Sequence, residues 1–149
     1  MIPLFDQAMN IALTYDVTTL KDKLVLYSIS YLPTTENRDK AFNFVRQHSG
    51  SQTIENTPCG NKLIELDLSQ PQHNLTSENI AQIWATASKR MIQKAQGHIT
   101  AFVDGADPRS VFCQTELPAI LENPDISTIN NIDKHIFAQQ IRNNQEVHK

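Results

Sequence analysis

Cysteine, glycine, excess basic charge and long apolar runs are all scarce in this chain. Its two cysteines, Cys59 and Cys113, lie far apart in no CxxC or Cys/His spacing, so neither a zinc site nor a disulfide framework is indicated, and a reducing cytosol suits it. Cys113 has no sequence neighbour that would lower its pKa and reads as structural. Only four glycines occur, in no GxGxxG or P-loop pattern, which counts against a Rossmann or P-loop nucleotide enzyme but leaves other clefts open. With 13 Lys and Arg against 16 Asp and Glu, the formal charge is -3 and the pI about 5.9. That balance is not the footprint of a protein that neutralises many phosphates, so no nucleic-acid partner is expected. No apolar run approaches the length that spans a bilayer, and Met1 to Leu13 has no basic stretch ahead of its apolar residues. Nothing in these residues anchors or exports the chain by itself, and no membrane partner is expected. The histidines His48, His73, His98, His135 and His148 are scattered without metal-ligand spacing, so no metal is expected.

What is present suits one domain over residues 1–149: 40% hydrophobic and 19% charged residues can build a core without disulfides or metals. Pro3, Leu4, Phe5, Ala8, Met9, Ala12 and Leu13 predict an opening amphipathic helix that ends near Tyr15. Lys23 to Ile29 is a short, partly β-branched run ahead of Pro33 and predicts a buried strand, with Tyr27 and Ser28 near its C-terminal end. Thr34, Thr35 and Glu36 offer a cap for a helix carrying Ala41, Phe42 and Val45 and stopped by Ser49 and Gly50. Ile54 to Leu68 has a helix-like pattern that Pro58 and Gly60 weaken. The strongest periodicity runs from Ser77 to Ala95, where Ile80, Ile83, Trp84, Ala87 and Met91 repeat at three and four behind the caps Thr76 and Ser77. Trp84 and Ser88, four apart, are neighbours on that helix. Gly97 closes it, and His98 to Val103 predicts a strand ended by the turn chemistry of Asp104 to Pro108. Further short strands are expected around Thr115 to Leu117 and Ile126 to Ile129. Ile132, Ile136, Phe137 and Ile141 predict a closing helix that frays from Gln145 to Lys149. The fold class is therefore α/β, with a small, mostly parallel sheet of about four strands and helices before and around it. Ligands of such sheets bind off the carboxyl ends of the strands, an edge that Tyr27, Ser28 and Phe112 to Glu116 could share.

By pattern alone these residues have plainer readings. Trp84 fits a core position on its helix. Glu116, taken as a strand residue, would equally face solvent at a sheet edge. Glu55 reads as a first-turn carboxylate favoured by the helix dipole. Tyr27, Ser28 and Phe112 serve equally as strand-end or core residues. Lys89, Arg90 and Lys94 read as a solvated helix face, with one of them a candidate for a diphosphate.

Three blocks in order resemble the ADP-ribosyl cyclase and NAD glycohydrolase family. They are Leu26-Tyr27-Ser28, then Thr53 to Thr57, then Trp84 to Arg90 leading into Val111-Phe112 and Glu116. The likeness spans residues 24–129. It implies an ADP-ribosyl cyclase-like fold in which Glu116 is the catalytic glutamate that holds the ribose hydroxyls and stabilises the cation formed when nicotinamide leaves. It implies that Trp84 receives the nicotinamide ring and that Glu55 contacts the carboxamide. Ser28 and Ser88 become phosphate-side hydroxyl donors, and Phe112 an aromatic gate. The chain departs from the family with Tyr27 in place of a tryptophan, Asn56 in place of a second acid, and few cysteines. These departures imply hydrolysis of NAD or NADP to nicotinamide and ADP-ribose, with cyclisation minor and no cofactor beyond the dinucleotide substrate. The scarcity of cysteine resembles bacterial polymorphic toxins. It implies the C-terminal toxin part of a larger secreted effector, as in contact-dependent inhibition, delivered into a target-cell cytoplasm and neutralised by a cognate immunity protein. Two other classes stay open: an inactive module that binds NAD or ADP-ribose, and a ribonuclease toxin.

Overall fold

In the computed structural model, residues 3–28 and 36–147 are described, with side chains to residue 144. Helix α1 (Leu4–Thr14) buries Ala8, Ile11 and Ala12, the positions its periodicity selects. Strand β1 (Val25–Tyr27) follows, and then helix α2 (Glu36–Gln47). Ile29, Pro33 and the expected caps Thr34 and Thr35 lie outside the described residues. A single 3-10 turn, Ile54–Asn56, precedes α3 (Pro58–Leu66), so the segment expected as one weakened helix is two pieces. Pro58 does not weaken α3 but opens it, since its missing N–H falls where a helix has no partner to offer. Helix α4 (Ser77–Lys94) has Thr76 and Asn79 satisfying each other's backbone N–H groups. Strand β2 is Gly97–Phe102.

Two expectations fail in the C-terminal third. Thr115 to Leu117 is not a strand: Phe112–Glu116 forms a π-helical turn that runs into α5 (Leu117–Glu122). Pro118 is the physical cause we assign, because it lacks the N–H for a regular helical bond and its ring crowds the carbonyl four residues back, which a widened turn relieves. Ile132 belongs not to the closing helix but to a strand. Strands β3 (Ile126–Ile129) and β4 (Ile132–Asp133) form a hairpin whose two-residue loop, Asn130 and Asn131, has positive φ at both positions. Asparagine tolerates that conformation, and it matches the strand twist. Asp133 then caps α6 (Lys134–Val147) by accepting from His135 and Ile136 N–H. Helix α6 reaches Val147, and the last two residues lie outside the described range.

The sheet order is β1-β2-β3-β4, parallel for the first two pairings and antiparallel for the last. The fold is thus α/β with a mostly parallel four-stranded sheet, the fourth strand being Ile132–Asp133. A parallel bridge from Leu24 to Gln52 extends the far edge of β1. Helices α1, α3 and α4 pack together, and one cluster joins their apolar faces to the sheet through Ile11, Leu63, Ile83, Met91 and Ile99. At the start of β2, Gly97 has φ +86°, and a Cβ there would meet Asp22 Oδ1 at 1.9 Å. That carboxylate accepts the His98 N–H at 2.7 Å and ties the sheet's lower end to the loop before β1.

Candidate active site

Strands β1 and β2 end at the upper edge of the sheet. Tyr27 closes β1, and the Ser28 N–H continues the ladder to Phe102 O at 3.1 Å. Buried Asn37 on α2 donates to Ser28 O at 3.0 Å and to Asp104 O at 2.9 Å, fixing both strand ends to one helix. Glu55 sits in the 3-10 turn, held by two devices. Asn56 Oδ1 accepts from Thr53 N–H at 2.8 Å and from its hydroxyl at 3.0 Å. Gly60 lets α3 press against the turn, because a Cβ there would lie 1.9 Å from Ile54 O. Asn56, the position of the family's second acid, is therefore an exposed capping residue here and is not part of the cavity lining.

Trp84 and Ser88 share a face of α4 one turn apart. Trp84 is half-buried, one side packed on the core and the other on the cavity, so the core and cleft readings both describe it. Across from α4, Ser110 starts the next helical segment by accepting the Cys113 N–H at 3.2 Å. The π turn follows, closed by the Leu117 N–H on Phe112 O, five residues back. It brings Glu116 into the interior, where only 6% of the residue is exposed. That corrects the solvent-facing strand position. Phe112, 1% exposed, is a fully buried wall behind it.

Burial pushes the Glu116 carboxyl up to about 8; a hydrogen bond from Ser88 pulls the other way, and the nearby Glu55 carboxylate adds to the rise. Ser88, which the resemblance assigns to phosphate, thus gives its hydroxyl to Glu116. Glu55 Oε2 accepts from the Tyr27 hydroxyl at 2.5 Å, while its Oε1 is buried with no hydrogen-bond partner among the described residues. Burial, then the Glu55 charge and that hydrogen bond, hold the Tyr27 phenol protonated far above the ordinary phenol range.

Tyr27, Ser28, Glu55, Trp84, Ser88, Phe112 and Glu116 all line one cavity of about 440 Å³. Arg38 is the one Lys or Arg among the described lining residues, and sequence reasoning missed it. Its signal was available: Arg38 and Phe42, another lining residue, stand one helical turn apart on α2. Lys89 and Lys94 are exposed, but Arg90 is no solvated cation. It donates to Ala12 O at 2.6 Å and Tyr15 O at 3.1 Å, closing the end of α1. Among the described residues, no three His, Cys, Asp or Glu side chains are grouped to hold a metal ion.

The architecture is that of ADP-ribosyl cyclases and CD38. A CD38 structure, described as evidence for a conformationally flexible covalent enzyme–substrate complex, superposes with a TM-score of 0.54 at 12% identity over 91% of this chain and 82% of that one. Aplysia cyclase complexed with substrate NGD and product cGDPR gives 0.51 at 17% identity over 74% of this chain and 48% of that one. Porcine CD38 with a covalent ribo-F-ribose-5'-phosphate intermediate gives 0.50 at 15% identity over 87% and 72%. The chain spans about half the length of the cyclases it matches, 48%. No family model matches it, and no curated protein does.

Proposed function

We propose that the protein is an NAD(P) glycohydrolase that breaks the bond between nicotinamide nitrogen and ribose C1′. The observation that carries this reading is a buried glutamate, Glu116, facing the same cavity as an indole, Trp84, and a second carboxylate, Glu55. It gains support from a fold whose solved examples include a cyclase with bound substrate and CD38 with a covalent intermediate.

The chemistry follows from charge. The pyridinium ring is cationic in the ground state and stacks favourably on the Trp84 face. As the C1′–N bond breaks, its electron pair returns to the ring nitrogen, and positive charge moves to the ribose. A fixed carboxylate at Glu116 gains attraction along that path. Water then adds to C1′, and its proton passes to Glu116, giving ADP-ribose and neutral nicotinamide. Phe112 and the wall of Trp84 keep other water out. Tyr27 is a smaller ring than the family's tryptophan and meets Phe42 edge to face, which leaves less stacking surface for folding adenine back, so hydrolysis dominates over cyclisation. The reaction inside a cell would exhaust dinucleotide. A delivered antibacterial toxin domain, secreted within a larger effector and paired with an immunity protein over this cleft, is the biological role the reading supplies.

The test is incubation with NAD and then NADP, following nicotinamide, ADP-ribose and cyclic ADP-ribose by chromatography, beside Glu116→Gln. Nicotinamide release by the parent, falling about a thousandfold or more in the variant, is expected for loss of a transition-state charge partner. No turnover of either dinucleotide by the parent would sink the proposal and favour a binding module.

A further inference from the structure

A second cavity, of about 210 Å³, opens at the carboxyl ends of β2 and β3. It exists because β3 leaves the sheet early. Past Ile129 a side chain continues the ladder, the Asn130 carboxamide accepting the Ala101 N–H and donating to Ala101 O, each at 2.8 Å. Helix α6 faces the gap with Phe137, Gln140, Ile141 and Asn144, spaced three and four apart on one side. A purely structural face would be apolar at all four positions, and here two are amides. Phe137 is buried and Ile141 half-buried, whereas Gln140 and Asn144 stand exposed at the mouth, their amides unbonded among the described residues. The adjacent Gln139 and Asn143 bond each other at 3.1 Å instead. No Lys or Arg is among the described lining residues, so the notch suits an uncharged group and not a phosphate.

The two cavities are neighbours. Asn37 Nδ2 donates to Ser28 O, a residue lining the first, and to Asp104 O, a residue lining the second, so one side chain separates those walls. The same helix sets Arg38 in the first cavity and brings Lys40 Nζ to 3.7 Å from Asp104 Oδ2 beside the second. Cations thus flank the ground between them.

We propose that the notch between β2, β3 and α6 holds the adenine of the dinucleotide, with Gln140 and Asn144 as specificity-determining residues. The proposal rests on the glycohydrolase reading and says where the far end of its substrate goes. Adenine offers a flat ring to the apolar wall of Phe137 and Ile141, and a mixed donor and acceptor edge of the kind that Asn and Gln amides pair with. The diphosphate then crosses past Arg38 and Lys40. Adenine held in the notch also keeps its ring nitrogens away from C1′, where cyclisation would need one of them.

Nicotinamide mononucleotide keeps the ring, the ribose and one phosphate but lacks the adenosine, so the ratio of kcat/KM for NAD to that for the mononucleotide reads the second site alone. Gln140 and Asn144 are exposed, so replacing both by alanine removes the amides and leaves the core untouched. The parent should favour NAD about tenfold or more, and the double variant should lose about tenfold for NAD while the mononucleotide is unchanged. An unchanged ratio, or an equal fall for both substrates, overturns the proposal. A second arm needs no turnover: calorimetric titration with AMP should show binding to the parent that weakens about tenfold in the double variant. Binding that is absent, or equal in the two proteins, overturns the proposal. If the parent cleaves neither NAD nor the mononucleotide, the glycohydrolase reading fails, and the AMP titration then decides the adenine notch by itself.

Discussion

Glu116 couples the chemistry of the site to the stability of the fold. Its carboxyl is pushed up to about 8 from its ordinary value of 4.5, chiefly by burial. A raised carboxyl pKa means that the folded state holds a proton the unfolded chain has lost, so stability must fall as pH rises from about 4.5 through about 8 and level off beyond. Thermal unfolding of the parent and Glu116→Gln across that range should show the parent losing ground with pH. By pH 9 the variant should be the more stable by at least about 1 kcal/mol, each displaced unit being worth about 1.4 kcal/mol. Catalysis has the opposite need, since the ionised form is the active one. The rise of kcat/KM, a property of the free enzyme, should therefore be centred near pH 8. A bound pyridinium stabilises the carboxylate, so the rise in kcat should lie at lower pH. Coincident profiles for the two constants would show that the cation does not reach Glu116.

At the scale of elements, the site is held by short turns whose geometry depends on single residues. Gly60 admits the turn that carries Glu55, and its replacement by alanine would drive a Cβ into Ile54 O, at 1.9 Å in the present geometry. Gly60→Ala should cost about 1–3 kcal/mol, as overpacking does, and should also lower kcat/KM by moving Glu55. A stability loss with unchanged kinetics would separate the turn from the site. Ser110→Ala should cost about 1 kcal/mol for the lost cap and loosen the helix bearing Glu116. The long periodic helices and the parallel strands could be read in the sequence, because each repeats one spacing over enough residues to stand out. The turn bearing Glu116 could not. Pro118 interrupts its pattern, and a π register has a period that looks like neither helix nor strand. Trp84 and Ser88 were found as neighbours because the helix spacing alone fixes them. The Tyr27–Glu55 contact was hidden, since only the folded chain joins a strand end to a turn 28 residues away.

Across the whole molecule, polar side chains from one element close the carboxyl end of another, away from the strand edge that carries the cavity. Arg90 of α4 closes α1. Asn123 donates to Ile92 O at 2.8 Å and Ala95 O at 3.0 Å, closing α4. Buried Lys134 donates to Asn123 O at 2.7 Å and Ile120 O at 3.3 Å, closing α5. These bonds satisfy carbonyls that helix ends leave without partners, and they link the helices in sequence order. Asn123→Ala should destabilise the protein by about 1–3 kcal/mol in denaturant unfolding, because it leaves buried carbonyls unpaired. The KM for the dinucleotide should not change, since Asn123 does not line the cavity. A shifted KM would mean that the two ends of the sheet are mechanically coupled.

The π turn also has a genetic consequence. It contains one residue more than an α-helical turn requires, so losing Thr115 would remove the widened turn and leave Pro118 in the interior of a tighter helix, at a cost in stability. Every side chain upstream would shift register by about 100° against those downstream, and Glu116 could no longer face the cavity while Phe112 kept its wall. An active member of this architecture and an inert one could thus stand a single in-frame codon apart.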